Sequence, residues 1–267
     1  MATIGVNMYH FFVAEENIDK DAHKVFIEGG DYNHIRNVLR MHPGEEISVG
    51  TGLSDDEYRC EIEGYEDGRV ICKLMFIKKA DVESPVKIIL FQGLPKADKM
   101  ELIIQKCVEL GVSEIVPVSC KRCIVKLDDK KAANKIARWQ QIAEAAAKQS
   151  KRAIIPKVAD VMDMKNAIRY AEEMDIKMIP YELAEGTKET KAIFTELKKL
   201  TETGNTNGPV PRVAVFIGPE GGFEEEEVKQ ATETGILPIS LGNRILRTET
   251  AGMVVLSWIN YCLEVEG

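Results

Sequence analysis

The chain has 267 residues, 45% of them apolar, with a formal charge of −8 and six cysteines among ten methionines. That is room for one large or two ordinary domains with cores that need no disulfide staples. Residues 1–15 alternate apolar and polar without a signal-peptide core, and the longest uncharged apolar stretch, 253–259, falls far short of the roughly 18 residues that span a bilayer. The expectation is a cytoplasmic protein with reduced thiols and no membrane partner.

From Tyr9 to about Lys79, short β-prone runs (10–14, 24–28, 46–49, 58–65 and 70–77) are separated by Gly29-Gly30, Pro43-Gly44, Gly50 to Gly52 and Asp67-Gly68. This pattern predicts a small β-barrel. One helical stretch, 31–41, interrupts it, with Ile35, Val38 and Leu39 expected to dock inward and His34, Arg36 and Arg40 outward. Around 80–85 the pattern changes to alternating strands and helices, which implies a parallel sheet and a boundary between residues 1–82 and 83–267. Strands are predicted at 86–92, 114–118, 176–181, 213–218 and 238–241. Helices are predicted at 98–110, 129–150, 162–174, 191–200 and 224–234, with a nearly all-apolar closing helix at 250–263. Residues 201–211 read as a loop rich in Gly, Thr, Asn and Pro.

Charge is segregated along the chain. Residues 83–160 carry 15 Lys+Arg against 9 Asp+Glu, whereas the flanking blocks are both acidic. A basic block of that density suits a phosphate backbone, although on charge alone a solvated helical face is the stronger reading.

Two segments carry the chemistry. VAVFIGPEGGFEEEEV is a buried-type strand running into Gly218-Pro219-Glu220-Gly221-Gly222 and then a helix, an arrangement that lets a backbone approach a ligand beyond the strand end. It is not a phosphate loop: no Gly-Lys-Ser/Thr is present, and Glu224 to Glu227 occupy the helix start where an anion would sit. A cationic sulfonium such as S-adenosylmethionine (SAM) is tolerated there; the other reading is a plain tight turn. The second segment, LGNRILRTETAG from Leu241 to Gly252, opens directly into the apolar C-terminal helix. Ile245 and Leu246 stand where a surface turn would be polar, and are expected to line a pocket for something flat and partly apolar. Thr248 is the better match for the helix cap, and Arg247 and Glu249 project near the helix start as an ion pair or as reacting groups. Cys120 and Cys123 form a C-x-x-C, but no second such pair exists and all four histidines lie at or before His42, so no metal is expected.

IGPEGG and LGNRILRTETA together resemble the cofactor-binding signature of the SPOUT methyltransferases. With HIRNVLRMHPGE, LPKADKMELIIQKCVELGVSEIVPV and RWQQIAEAAAKQSKR added, the chain from about Tyr9 onward is similar to the RsmE type, which methylates N3 of a uridine in 16S, small-subunit ribosomal RNA. The SCKRCIVK segment departs from that family, in which serines commonly replace one or both cysteines. The resemblance implies a PUA-like RNA-binding barrel over 1–82 and a SPOUT α/β domain over 83–267 whose C-terminal segment threads a deep trefoil knot. It implies a homodimer, with SAM held by Leu94, Ile217, Gly218, Pro219, Glu220, Gly221, Gly222, Leu241, Gly242, Ile245 and Leu246 close to the interface.

Methylation at N3 requires loss of an imide proton from a base taken out of its stack. With no histidine in the second domain, the candidates are Arg247 to stabilise the uridine anion, Glu249 as proton acceptor and Glu220 third. His34, Arg36, Arg40, Lys96, Lys99, Arg122, Lys148 and Arg152 are the expected RNA contacts, positioning the substrate without reading its sequence. The rival readings are a SPOUT enzyme acting on a ribose 2′-hydroxyl or another base, and a non-catalytic RNA-binding ribosome-assembly factor.

Overall fold

The computed structural model describes residues 8–182, 188–202 and 209–265. Contacts divide the chain into two units, one of residues 1–83 together with Ala147–Ile155, the other of Ser84–Ala146 with the rest of the chain from Pro156.

The first unit is a six-stranded sheet built from β1 (His10–Phe12), β2 (Ile18–Asp19), β3 (Lys24–Ile27), β4 (Glu46–Gly50), β5 (Asp56–Glu66) and β6 (Arg69–Lys79) in the order β1-β4-β5-β6-β3-β2. All pairings are antiparallel except β1 with β4. Val25, Ile27, Ile47, Val49, Ile62 and Val70 alternate onto one face and are fully buried, as half-buried strands with period two require. The predicted 31–41 helix is shorter. A helical turn, α1 (Gly29–Asn33), widens into a π turn over His34–Val38, and Arg40 then takes a left-handed φ of 54° that ends it. Ile35 docks as expected, whereas Val38 is exposed, because the widened turn rotates it away from the apolar face. The returning segment Ala147–Ile155 belongs here too: Ile154 bridges Gly52, and Lys148 pairs with Asp31 at 3.1 Å.

The second unit is a seven-stranded, wholly parallel sheet of β7 (Lys87–Gly93), β8 (Val112–Ser119), β9 (Lys157–Val158), β10 (Met162–Asp163), β11 (Ile176–Pro180), β12 (Arg212–Ile217) and β13 (Leu237–Ile239). Its order is β10-β8-β7-β12-β11-β13, with β9 also on β8, so β12 enters the centre late in the chain, between β7 and β11. Helices α2 (Lys99–Glu109), α3 (Asp129–Gln149), α4 (Met164–Ala171), α5 (Lys188–Glu202), α6 (Glu225–Glu233) and α7 (Thr248–Asn260) connect or cover it. Continuous apolar runs in β7 and β12 match strands covered on both faces. Phe91 and Phe216 are direct register partners and stack with centroids 4.3 Å apart, fully buried. Removing either ring should cost about 3–5 kcal/mol. Met100, Ile103, Ile104, Cys107 and Val108 form the buried face of α2, and Gly111, at φ 87°, follows its end.

Candidate functional site

Strands β7 and β12 run in register up to Gln92 and Ile217, so their carboxyl ends release 93–98 and 218–224 side by side. The approach is close: a Cβ on Gly93 would stand 2.6 Å from Pro219 Cδ. The start of α7 returns to this junction. Thr248 Oγ1 donates to the Gly218 carbonyl (2.6 Å) and accepts from Gln92 Nε2 (2.9 Å), which also donates to the Gly93 carbonyl (3.0 Å). Both side chains are buried, and this polar chain joins three segments distant in sequence. The expected cap is therefore corrected: Arg247 occupies the cap position without a side-chain bond, and Thr248 is the first helical residue, because its hydroxyl is spent on Gly218. Gln92 was not anticipated, although a lone amide inside the apolar run KIILFQG was a signal for it.

Around this junction lies a charge cluster. Lys99 Nζ is 2.9 Å from Glu220 Oε1 and 3.5 Å from Glu249 Oε2, and the Lys96 amide donates to Glu220 at 3.0 Å. Burial raises the Glu220 pKa, but the Lys99 hydrogen bond and the Lys96 amide outweigh it and leave it lowered. Glu249 Oε2 is buried and accepts no hydrogen bond among the described residues. The ion pair expected between Arg247 and Glu249 does not form. Glu249 faces Lys99, and Arg247 is exposed at the helix start.

The two loops differ in what their glycines do. Gly222 (φ 69°) and Gly242 (φ 96°) are left-handed, and a Cβ on either would meet nothing within 4 Å. Each loop therefore presents one stretch of bare backbone with open space before it. Gly221 instead faces the chain: its Cβ would stand 3.2 Å from Arg122 Cβ. Leu94, Ile217 and Pro219 are buried around the junction, and Leu241 and Leu246 are half-buried. Ile245 is 82% exposed, so within this chain it forms no wall of a closed pocket.

The acidic helix start is largely self-engaged. Glu224 and Glu227 form a reciprocal capping box, Glu227 is buried and accepts from the Lys121 amide at 2.8 Å, and Glu224 pairs with Arg122 at 2.9 Å. Arg122 also donates to the Gly221 carbonyl at 3.0 Å. Behind it, Cys120 and Cys123 are buried and close. The Cys120 amide donates to Cys123 Sγ at 3.3 Å, and the thiol hydrogen bond between the two lowers Cys123 to about 7 while raising Cys120. Beyond Leu94 and Pro95 a cavity of about 220 Å³ opens, walled by Val125, Leu127, Lys135 and Trp139, with Ala97 and Asp98 at its edge.

The expected RNA contacts fall into three groups. His34, Arg36 and Arg40 are exposed on the first unit, Arg36 lying over the Tyr32 and Tyr65 rings at 5.7 and 5.4 Å. Lys96 is exposed on the second unit, where Lys99 and Arg122 are bound up with the loop carboxylates. Lys148 is half-buried on Asp31. Arg152 is a correction: it is 4% exposed and pairs with Glu83 at 2.6 Å, a guanidinium that binds the chain to itself and is not displayed to a phosphate.

Comparison with known proteins gives a consistent family signal. A model described as an RNA methyltransferase domain matches residues 82–260, and one described as an RNA methyltransferase PUA domain matches 27–75. The chain is 36% identical to the ribosomal RNA small subunit methyltransferase E of Bacillus subtilis over 90% of both chains. Among solved structures, a Legionella pneumophila methyltransferase in complex with the cofactor SAM is 31% identical, with a TM-score of 0.77 over 96% of this chain and 98% of that one. The ribosomal RNA small subunit methyltransferase E of Neisseria gonorrhoeae bound to SAM is 30% identical, with a TM-score of 0.76 over 95% and 97%.

Proposed function

The chain belongs to the family of ribosomal RNA small subunit methyltransferase E, and we propose that it methylates N3 of a uridine in small-subunit ribosomal RNA with SAM as methyl donor. The observation that carries this reading is the junction of two loops at the ends of β7 and β12, each with an open left-handed glycine, beside carboxylates suited to a cationic ligand. Residues 83–267 would act as a SPOUT domain. Its deep trefoil knot is supported by the return of Thr248 to Gly218 and Gln92 and by the late insertion of β12 between β7 and β11. Residues 1–82 would form a PUA-like barrel that docks RNA through His34, Arg36 and Arg40. Exposed apolar side chains on α2 and at the end of α7, namely Leu102, Trp258 and Tyr261, support a homodimer. A ribosomal RNA substrate supports a cytoplasmic location.

Bound SAM supplies an electrophilic methyl group on a sulfonium. Gly218 to Gly222, Leu241, Gly242 and Leu246, with Leu94 and Ile217 beneath, would hold it, and the bare backbone at Gly222 and Gly242 fits that role. Glu220, fixed by Lys99 and the Lys96 amide with its pKa lowered, stays ionised and anchors the loop; it is a poor proton acceptor. Glu249 is better placed to take the N3 proton, because its buried oxygen has only the Lys99 ammonium at 3.5 Å. Arg247, exposed beside it in sequence, can address the oxygen of the resulting anion. Exposed Lys96, with Lys148 and Arg122, would add phosphate contacts.

Mass-spectrometric mapping of small-subunit ribosomal RNA from cells lacking the gene tests the reading. One uridine should lose its N3 methyl group and regain it when the gene is restored. An unchanged methylation pattern would remove the proposed substrate.

A further inference from the structure

Behind the first loop, Cys120 and Cys123 are held in a single turn. The Cys123 amide donates to the Cys120 carbonyl at 3.0 Å, a β-turn bond that keeps the two Cα atoms within about 7 Å, a span that a disulfide can bridge. Both sulfurs converge on one atom, the Val118 carbonyl oxygen, which lies 3.8 Å from Cys120 Sγ and 3.7 Å from Cys123 Sγ. The Cys120 thiol, the Cys120 amide at 3.3 Å and the Leu94 amide all serve Cys123 as donors, and against the cost of burial they lower its pKa to about 7. The thiols of Cys60, Cys72 and Cys107 are pushed up by burial instead. Near neutral pH the reactive thiolate is therefore concentrated at Cys123. The turn lies at the surface: Lys121, Arg122 and Ile124 are exposed, and Cys120 and Cys123 retain 5% and 6% exposure beneath them.

The residues between the two cysteines are the ones that hold the first loop. The Lys121 amide donates to buried Glu227 at 2.8 Å, and Arg122 donates to the Gly221 carbonyl at 3.0 Å and pairs with Glu224 at 2.9 Å. Gly221 is packed so closely that a Cβ there would stand 3.2 Å from Arg122 Cβ, so a displaced Arg122 displaces the loop. We propose that Cys120 and Cys123 are a modification site, oxidised by a peroxide to a disulfide that disturbs the first loop and weakens SAM binding, and restored by a dithiol reductant. The inference rests on the reading that this loop holds SAM. In the first step the Cys123 thiolate attacks one peroxide oxygen, the O–O bond breaks, and the departing hydroxide takes up a proton and leaves as water. The Cys120 sulfur then attacks the Cys123 sulfenic acid. The S–S bond forms as the S–O bond breaks, and the hydroxide leaves with the Cys120 proton as a second water. Two electrons pass from the sulfurs to the peroxide, and nothing else is consumed. A covalent bond of about 2.05 Å replaces the thiol hydrogen bond, so the sulfurs draw together and the backbone carrying Lys121 and Arg122 turns with them.

Trypsin cuts after Lys121 and Arg122, so Cys120 and Cys123 fall on separate peptides unless a disulfide joins them. After the full chain is exposed to hydrogen peroxide, mass spectrometry should find these two peptides linked, with Cys60, Cys72 and Cys107 still thiols. In calorimetry the oxidised chain should bind SAM about ten-fold or more weakly, the scale of one charge-assisted hydrogen bond lost, and dithiothreitol should restore the affinity. Cys120→Ser and Cys123→Ser should each bind SAM as the reduced chain does and keep that affinity in peroxide. Peptides that stay separate, or an oxidised chain that binds SAM as tightly as the reduced one, would overturn the proposal. An equal peroxide-induced loss in the serine variants would overturn it too, because the damage would then lie at another residue. A reduced chain that binds no SAM would instead remove the functional reading on which the proposal rests.

Discussion

The two loops of the site are built on opposite principles. The first, 218–224, is fastened by the protein itself: Thr248 holds the Gly218 carbonyl, Lys96 and Lys99 hold Glu220, and Arg122 holds the Gly221 carbonyl. The second, 241–247, has the Gly242 amide on Ser240 Oγ at 3.3 Å and leaves Ile245 almost wholly in solvent. A loop ordered in advance loses little freedom when a ligand arrives, whereas a loop with few internal bonds is ordered by what binds it. On the proposed reading, the first loop orients the cofactor and the second closes over it.

The largest expected effect breaks the first loop at its open position. Gly222→Val puts a β-branched residue at φ 69° and a side chain into the space before the backbone, and should abolish SAM binding in calorimetry. Gly221→Ala should retain most of the affinity, because its methyl group meets only the stem of Arg122, which can give by a few tenths of an ångström. Equal losses in the two variants would mean that the loop is sensitive as a whole and that the open face is irrelevant. Next comes Arg247→Ala, which should lower single-turnover rate by about 100-fold or more with SAM affinity retained, if the interaction proposed for it is with the anion formed at N3. In parallel, Glu249→Gln should be slow at neutral pH and recover as rising pH ionises uridine N3 without help. A Glu249→Gln profile parallel to wild type at every pH would remove the carboxylate from proton transfer.

Thr248→Val is the intermediate case. It keeps shape but leaves the buried Gln92 amide and Gly218 carbonyl short of partners, at about 1–3 kcal/mol, visible as a lowered denaturant midpoint. The smallest effect belongs to the loose loop: Ile245→Ser should change stability by less than about 0.5 kcal/mol, as exposed positions do. A few-fold loss of SAM affinity in that variant would show that the cofactor covers the side chain, and full retention would assign Ile245 to another partner.

Much of this was readable along the chain, for reasons that explain the rest. VAVFI announced β12, and the spacing of Met100, Ile103, Ile104, Cys107 and Val108 announced the buried face of α2, because periodicity is written locally. Both glycine loops were located by composition. What stayed hidden depends on partners far away in sequence. Lys99 and Arg152 both read as RNA contacts; Lys99 proves to be the counter-ion of Glu220 and Glu249, and Arg152 is buried on Glu83. A cation carries no local sign of whether a carboxylate some seventy or more positions away will claim it. Trp139, within the helix predicted at 129–150, likewise carries no local sign that its indole N–H lacks an acceptor among the described residues.

The return of Ala147–Ile155 to the first unit has a consequence for how the chain can be inherited and handled. A protein made of beads on a string can be cut at the linker and its parts recombined, because each bead is contiguous. Here one bead is completed by a splint taken from the middle of the other, with Ile154 bridged to Gly52 and Arg152 clasped to Glu83. A cut between residues 82 and 83 would leave the N-terminal fragment without Ala147–Ile155, and would strand that segment, Ile154 included, on a fragment lacking the surface it completes. The two units are therefore not severable cassettes, and a graft of the N-terminal sheet onto another enzyme must carry the splint with it.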